Sequence, residues 1–212
     1  MGKKVVLGLS GGVDSAVSAC LLKEQGYEVY GHWLDIGLGG REDAEEVARR
    51  LDIPFSAGDI RGELEESVMG PFRADYLAGR TPLPCALCNP TVKFPALFRR
   101  AEEVGADLVA TGHYAQIGTD EAGEPALLRG AHRNDQAYML ARLPREWLPR
   151  LIFPIGGYEK TQVRDLARHF QIPVAEKPDS MEICFIPDGD YAGWLEARGA
   201  TPPPGDFVDR QG

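Results

Sequence analysis

The sequence predicts an α/β fold in which a parallel sheet carries helices on both faces. Three observations predict it. Short apolar runs of strand length alternate with stretches of helical spacing over the first half of the chain, the pattern of a sheet covered on both sides. The first run, residues 4–9 (KVVLGL), is rich in Val and Leu and shows no polar alternation, as a strand buried on both faces reads. It passes through Ser10-Gly11-Gly12 directly into a helical pattern.

The elements follow in order. Residues 13–25 place Val13, Val17, Cys20 and Leu21 at helical spacing and stop at Gly26. Residues 28–34 read as a second strand, 42–51 as a charged amphipathic helix ended before Pro54, and 55–60 as holding a third strand. Residues 64–77 are helical. Residues 81–90 form a loop rich in proline and cysteine, and 92–104 a helix bearing Lys93, Arg99 and Arg100. Residues 107–111 (DLVAT) make another strand, followed by Gly112-His113-Tyr114. Beyond about Asp120 the periodicity weakens; 123–130 is a candidate hairpin, and 136–143 and 160–170 are candidate helices. Residues 1–200 are assigned to one catalytic domain and 201–212, with Pro202, Pro203 and Pro204, to a linker stub.

Composition narrows the function classes. The 212 residues are 43% hydrophobic and 26% charged, which is ordinary globular usage. Lys and Arg number 23 against 32 Asp and Glu, a formal charge of −9, which argues against holding nucleic acid by bulk electrostatics alone. No stretch approaches the roughly 18 apolar residues of a membrane span, and residues 1–4 do not begin a secretory signal. A cytoplasmic location without membrane contact is expected. There, Cys20, Cys85, Cys88 and Cys184 are expected as reduced, catalytic or metal-bound thiols rather than a disulfide framework.

The unit strand, Ser10-Gly11-Gly12-Val13-Asp14-Ser15, helix carries the most chemistry. Two glycines let the backbone turn tightly and approach an anion. The following helix aims free N–H groups and the positive end of its dipole at the same spot. Ser10 and Ser15 add hydroxyls, and Asp14 suits holding Mg2+ or capping the helix better than touching phosphate. The spacing is neither the Walker nor the dinucleotide pattern; a glycine-rich turn with a Ser/Asp cap is the plainer reading. SGGVDS in this setting resembles the signature of the PP-loop (N-type) ATP pyrophosphatases. That resemblance implies a Rossmann-like, adenine nucleotide alpha hydrolase-like sheet, ATP and Mg2+, and cleavage of ATP between the α and β phosphates with AMP passed to an oxygen.

A second group of segments narrows the resemblance: TPLPCALCN at 81–89, ATGHYA at 110–115, NDQAY at 134–138, FPIG at 153–156 with Lys160, Val163 and Arg164, and DSMEICFI at 179–186. Together they resemble the tRNA-specific 2-thiouridylase family along nearly the whole chain. The resemblance implies an ATP site made by Gly8, Leu9, Ser10, Gly11, Gly12, Val13, Asp14 and Ser15, by the backbone of Leu34 near the adenine, and by Gly112. It implies adenylation of O2 of the wobble uridine of tRNA, sulfur delivery by Cys88 and Cys184, and tRNA contact by Asn134, Asp135 and Gln136. In the family's common form the residue matching Cys184 carries a persulfide, and the one matching Cys88 forms a disulfide with it to release the sulfur. A sulfur donor protein or sulfide is the further partner implied.

One departure from that form matters. Where the family has an acidic residue three before the loop cysteine, this chain has Cys85. Cys85, Cys88 and Cys184 then form a candidate ligand set for a [4Fe–4S] cluster with one open iron; cluster-free persulfide chemistry, zinc and plain structural thiols stay open beside it. Cys20 reads as core. His113 either touches nucleotide or orients its loop, and His32, His132 and His169 belong to no constellation. Lys93, Arg99 and Arg100 read as a solvated face sooner than a phosphate contact, Trp33, Trp147 and Trp194 as packing, and Lys160 with Arg164 as a basic pair either near phosphate or simply on a helix surface. Rival functions are another PP-loop sulfurtransferase or RNA thiolase, and a non-catalytic nucleotide-binding or sulfur-carrier module. The family normally continues into a central domain and a β-barrel that help bind tRNA, so weak tRNA binding is expected of this chain alone.

Overall fold

A computed structural model describes residues 2–177, 182–201, 205, 206, 208, 209 and 211. Five parallel strands form the main sheet: β1 (Lys4–Gly8), β2 (Glu28–Asp35), β3 (Phe55–Asp59), β4 (Leu108–Thr111) and β7 (Leu151–Ile152), in the order β3-β2-β1-β4-β7. The chain builds outward from β1 through β2 to β3, then returns to the other side of β1 as β4. That reversal opens a crevice at the carboxyl ends of β1 and β4, the usual ligand position in such sheets.

Alternation along the central strands divides the core. Val5 and Leu7 of β1 and Val29 and Trp33 of β2 face α1 (Val13–Glu24), α2 (Arg41–Arg50) and α8 (Lys160–His169). Val6 and Val109 face α6 (Phe94–Val104), where Phe94, Leu97, Phe98 and Ala101 meet them. Helix α1 is buried from Val13 to Leu22 except at Asp14. Its small residues Ala16, Ser18 and Ala19 let it lie between the sheet and α8 without steric cost.

The region expected as a proline- and cysteine-rich loop is helical. After α3 (Arg61–Leu64), a π-helical turn (Glu65–Met69) and α4 (Gly70–Leu77), the chain forms α5 (Pro84–Cys88) and a second π-helical turn (Asn89–Lys93), which runs without a break into α6. Pro84 opens the run, where a missing N–H costs least, and Pro90 and Pro95 fall where the run changes between α and π form. The prolines that suggest a loop therefore begin helical segments instead. The hairpin is also longer than 123–130: β5 (Ala115–Thr119) pairs with β6 (Pro125–Arg129). Of 136–143, only the single turn α7 (Ala137–Leu140) is helical. A 3-10 turn (Arg145–Arg150) precedes β7, and α9 (Tyr191–Glu196) follows the Cys184 segment. Among the described residues no helix is long and apolar enough to cross a membrane. The proline run at 202–204 lies outside the described residues.

Candidate functional site

The loop between β1 and α1 has the predicted form. Gly8 ends β1 opposite His32 and Thr111, and Leu9 is buried beneath the loop. Gly11 takes φ +77°, and a Cβ there would stand 2.8 Å from Asp43 Cβ and 2.9 Å from the Ala44 amide nitrogen. Only glycine satisfies both the dihedral and the space. Gly12 is the residue before the helix and has no side-chain cap. The two serines face one another, with Oγ atoms 3.1 Å apart. Ser15 Oγ accepts from the Ser10 amide at 3.2 Å and donates to the Gly12 carbonyl at 3.0 Å, while Ser10 Oγ accepts from the Gly12 amide at 3.3 Å. Val13 anchors the first turn of α1 in the core.

The second wall comes from β4. Gly112 lies so close to α1 that a Cβ would be 2.9 Å from the Ser15 amide nitrogen and 3.2 Å from Asp14 Cβ. His113 does not face the crevice. It is buried, 2.7 Å from Thr111 Oγ1 through Nδ1 and stacked near Phe94, and burial holds its pKa well below the usual 6.5. Leu34 stands at the carboxyl end of β2, packed between two of the core clusters.

Asp14 does not cap α1; its carboxylate is held from another element. Lys160, the first residue of α8, places Nζ 2.8 Å from both carboxylate oxygens, and the Tyr114 hydroxyl donates to Oδ1 at 2.8 Å. Arg164, four residues on, donates to the carbonyls of Ala175 and Lys177; residues 178–181, which include the whole DSM part of the DSMEICFI segment, lie outside the described residues.

The cysteines gather on the neighbouring side. Cys85 and Cys88 are half-buried on α5, Cys184 is exposed, and all are free thiols. Phe72 is the centre that brings them together: its ring meets Phe185 at 5.3 Å, Trp194 at 5.6 Å and Tyr76 at 4.9 Å. Cys88 and Ile183 pack on the same cluster. Burial pushes the Cys88 thiol up; the Lys93 ammonium and the Lys93 N–H, which donates to its sulfur, pull it back. Protein packed around the Cys184 sulfur likewise pushes that thiol up, Lys93 pulls it down, and the charges of Cys88 and Cys85 raise it further. Lys93 thus faces the thiols, contrary to the solvated-face expectation, while Arg99 and Arg100 pair with Glu63 and Glu103. Among the described residues no group of three or more His, Cys, Asp or Glu is arranged to hold a metal ion.

Asn89, marked in the sequence only as the end of the TPLPCALCN segment, links the two regions. Buried to 1% exposure, it donates through Nδ2 to the Cys85 carbonyl at 3.0 Å and to the Met139 carbonyl at 2.9 Å. Met139 lies just beyond the NDQAY segment. There Asp135 shapes the turn, accepting from the amides of Gly130 and Ala137, and Gln136 accepts from the Tyr114 amide. Asn134 is exposed in a groove of about 880 Å³ with Arg129, His132, Arg133 and Lys160. Asp135 and Gln136 thus build the groove, and Asn134 lines it. Cys20, Trp33 and Trp147 are packing residues, as expected, and burial pushes the Cys20 thiol up to about 11.

Comparison with known proteins agrees with this layout. A sequence-family profile described as tRNA methyl transferase HUP domain matches residues 3–188. The chain is 44% identical to the tRNA-specific 2-thiouridylase MnmA of Lachnoclostridium phytofermentans over 99% of this chain and 64% of the relative. It is 47% identical to the protein of the same name from Acidithiobacillus ferrooxidans over 92% of this chain and 57% of that one. The chain therefore spans a little under two thirds of the length of the curated relatives it matches. Among solved structures, a 4-thiouridine synthetase–RNA complex with bound ATP aligns at TM-score 0.58 and 19% identity, over 92% of this chain and 50% of that one. NMN synthetase from Francisella tularensis aligns at 0.52 and 22%, over 84% and 67%. These two likenesses are of fold. With the profile spanning all the elements from β1 to the Cys184 segment, the chain belongs to the tRNA methyl transferase HUP domain family.

Proposed function

We propose that this chain is the ATP-using part of a tRNA uridine 2-sulfurtransferase, with residues 1–200 as its catalytic domain. Two features of the one fold carry the reading: the glycine loop that β1 delivers to the start of α1, and the Cys88 and Cys184 segments packed on a single cluster. The whole-chain match to relatives named tRNA-specific 2-thiouridylase supports the choice of substrate.

In this reading ATP lies across the crevice, its phosphates on the amides of residues 10–15 and its adenine near Leu34, with Gly112 leaving room beside α1. The serine contacts to the Ser10 and Gly12 amides are long, at 3.2 and 3.3 Å, so phosphate oxygens replace them at little cost. Mg2+ arrives on the phosphates of ATP. Uridine O2 attacks the α phosphorus and pyrophosphate leaves, making O2 part of a good leaving group. The outer sulfur of a Cys184 persulfide, loaded by a sulfane-sulfur donor, attacks C2, forming a C2–S bond as the C2–O bond to AMP breaks and AMP departs. Cys88 then attacks the Cys184 sulfur, releasing the thiolated base and leaving a Cys88–Cys184 disulfide that a cellular thiol reduces. Lys93 favours the thiolate form that each attack needs. The tRNA follows the groove at Asn134, Arg129 and Arg133. Cys85, Cys88 and Cys184 supply the donor type of an iron–sulfur cluster, whose open iron would hold the sulfur, but the described thiols do not converge as ligands.

The test is incubation of the protein with ATP, Mg2+, a persulfide (sulfane-sulfur) donor and unmodified tRNA, followed by mass spectrometry of nucleosides and assay of AMP. We expect tRNA-dependent AMP and 2-thiouridine, with Cys184→Ser abolishing the thionucleoside and sparing AMP. AMP formation that ignores tRNA would overturn the reading. Iron and acid-labile sulfide in anaerobically purified protein would move the sulfur onto a cluster.

A further inference from the structure

The phosphate loop poses an electrostatic problem that its own sequence does not solve. Residues 10–15 contain no basic side chain, and the one charged group among them is Asp14, in the first turn of α1. A carboxylate at a helix N-terminus is itself favourable to the helix, but it competes with and repels the polyanion that the loop would receive.

The remedy comes from 146 residues away. Lys160 straddles the Asp14 carboxylate with 2.8 Å contacts to both oxygens, and the Tyr114 hydroxyl binds one of them. The pair is well covered, with side-chain exposures of 16% and 29%. Lys160 occupies the first position of α8, where the helix dipole disfavours a cation, so α8 itself gives no reason for a lysine there; Asp14 does. Its backbone is fixed by a reciprocal cap, with Glu159 and Gln162 each bonding the other's backbone. Tyr114 is held in turn by Gln136 on both its amide and its carbonyl. Three elements distant in sequence thus converge on one carboxylate.

We infer that Lys160 is a positioning residue of the nucleotide site: it acts through Asp14, cancelling and orienting that carboxylate so that the loop accepts the pyrophosphate of ATP. The inference rests on the proposed ATP reading. It also makes the ammonium common to two places, since Lys160 lines the groove with Asn134 and Arg129, so tRNA phosphate in the groove would bias the same ion pair.

Equilibrium ATP binding in Mg2+ to the full chain tests this with four proteins. Lys160→Met should weaken binding at least tenfold, because Asp14 is left uncompensated. Asp14→Asn should lose less affinity than Lys160→Met, and the double variant Asp14→Asn/Lys160→Met should bind like Asp14→Asn, regaining most of what Lys160→Met loses. Lys160→Arg should retain most of the affinity. Unchanged binding by Lys160→Met would overturn the inference. So would a double variant as weak as Lys160→Met, which would place the ammonium on the phosphates directly, or an Asp14→Asn that loses as much as Lys160→Met. If Lys160→Met does not fold, the Asp14→Asn and double variants still decide the matter. A parent protein that binds no ATP is a separate outcome; it overturns the nucleotide reading itself.

Discussion

The two halves of the candidate site are built by opposite means. The phosphate half is backbone: a turn that only glycine can make, two serines bonded to each other and to their own loop, and the exposed start of a buried helix. The thiol half is side-chain packing: Cys85 and Cys88 on one helix, Cys184 nearly a hundred residues on, and a cluster of aromatic rings that brings the two segments together. A backbone site is set by a few contiguous residues and withstands change elsewhere. A packed site depends on residues that touch no substrate, and can be loosened from a distance.

Separate failure of the two halves would sharpen that contrast. Phe72 is 1% exposed and central to the aromatic cluster, so Phe72→Ala should cost about 3–5 kcal/mol in urea unfolding. Cys184 should then alkylate faster while ATP affinity stays near the parent's. Equal loss of ATP binding would break the distinction. Gly11→Ala should do the reverse, adding roughly 1–3 kcal/mol of strain plus the clash with Asp43 and Ala44. ATP binding should fall more than tenfold with thiol reactivity unchanged, as calorimetry and alkylation would read. The smallest effect is expected of Lys93→Met. Lys93 lowers the pKa of Cys88 and Cys184, so its removal raises both. The alkylation-against-pH curve should move to higher pH, and the rate at pH 8 should drop several-fold. A curve that stays in place would separate Lys93 from the thiols.

The same contrast explains what the sequence could reveal. SGGVDS is legible because its geometry is local: the glycine dihedral, the hydroxyls and the helix start all belong to six adjacent residues. The strand-helix alternation through Thr111 is legible for the same reason, since each period is carried within one element. Lys160 is visible as part of the FPIG segment and as half of an i, i+4 basic pair, but nothing in its neighbours names Asp14 as its partner; the one clue is a lysine at a helix start, against the dipole. Asn89 stands in the sequence only as the end of the TPLPCALCN segment and Phe72 gives no signal, because their roles consist of contacts with Met139, Phe185 and Trp194. The proline-rich stretch at 81–90 misled because proline marks both loops and first helical turns, and only the tertiary packing of Pro84, Ala86 and Val92 chooses between them.

The π turn at Asn89–Lys93 acts as a phase shifter for the thiols. One residue advances an α-helix by about 100°, and a π turn holds one residue more than the α turn it replaces. Deleting a single residue there would leave α5 and α6 on one regular spiral, yet would rotate Cys85 and Cys88 by about that angle against the sheet. Both thiols would then turn from Cys184, and the Lys93 amide would no longer reach Cys88. Where the sulfur chemistry points is therefore decided by residue count along one helix, and an indel of one at that turn would be less tolerable than most substitutions.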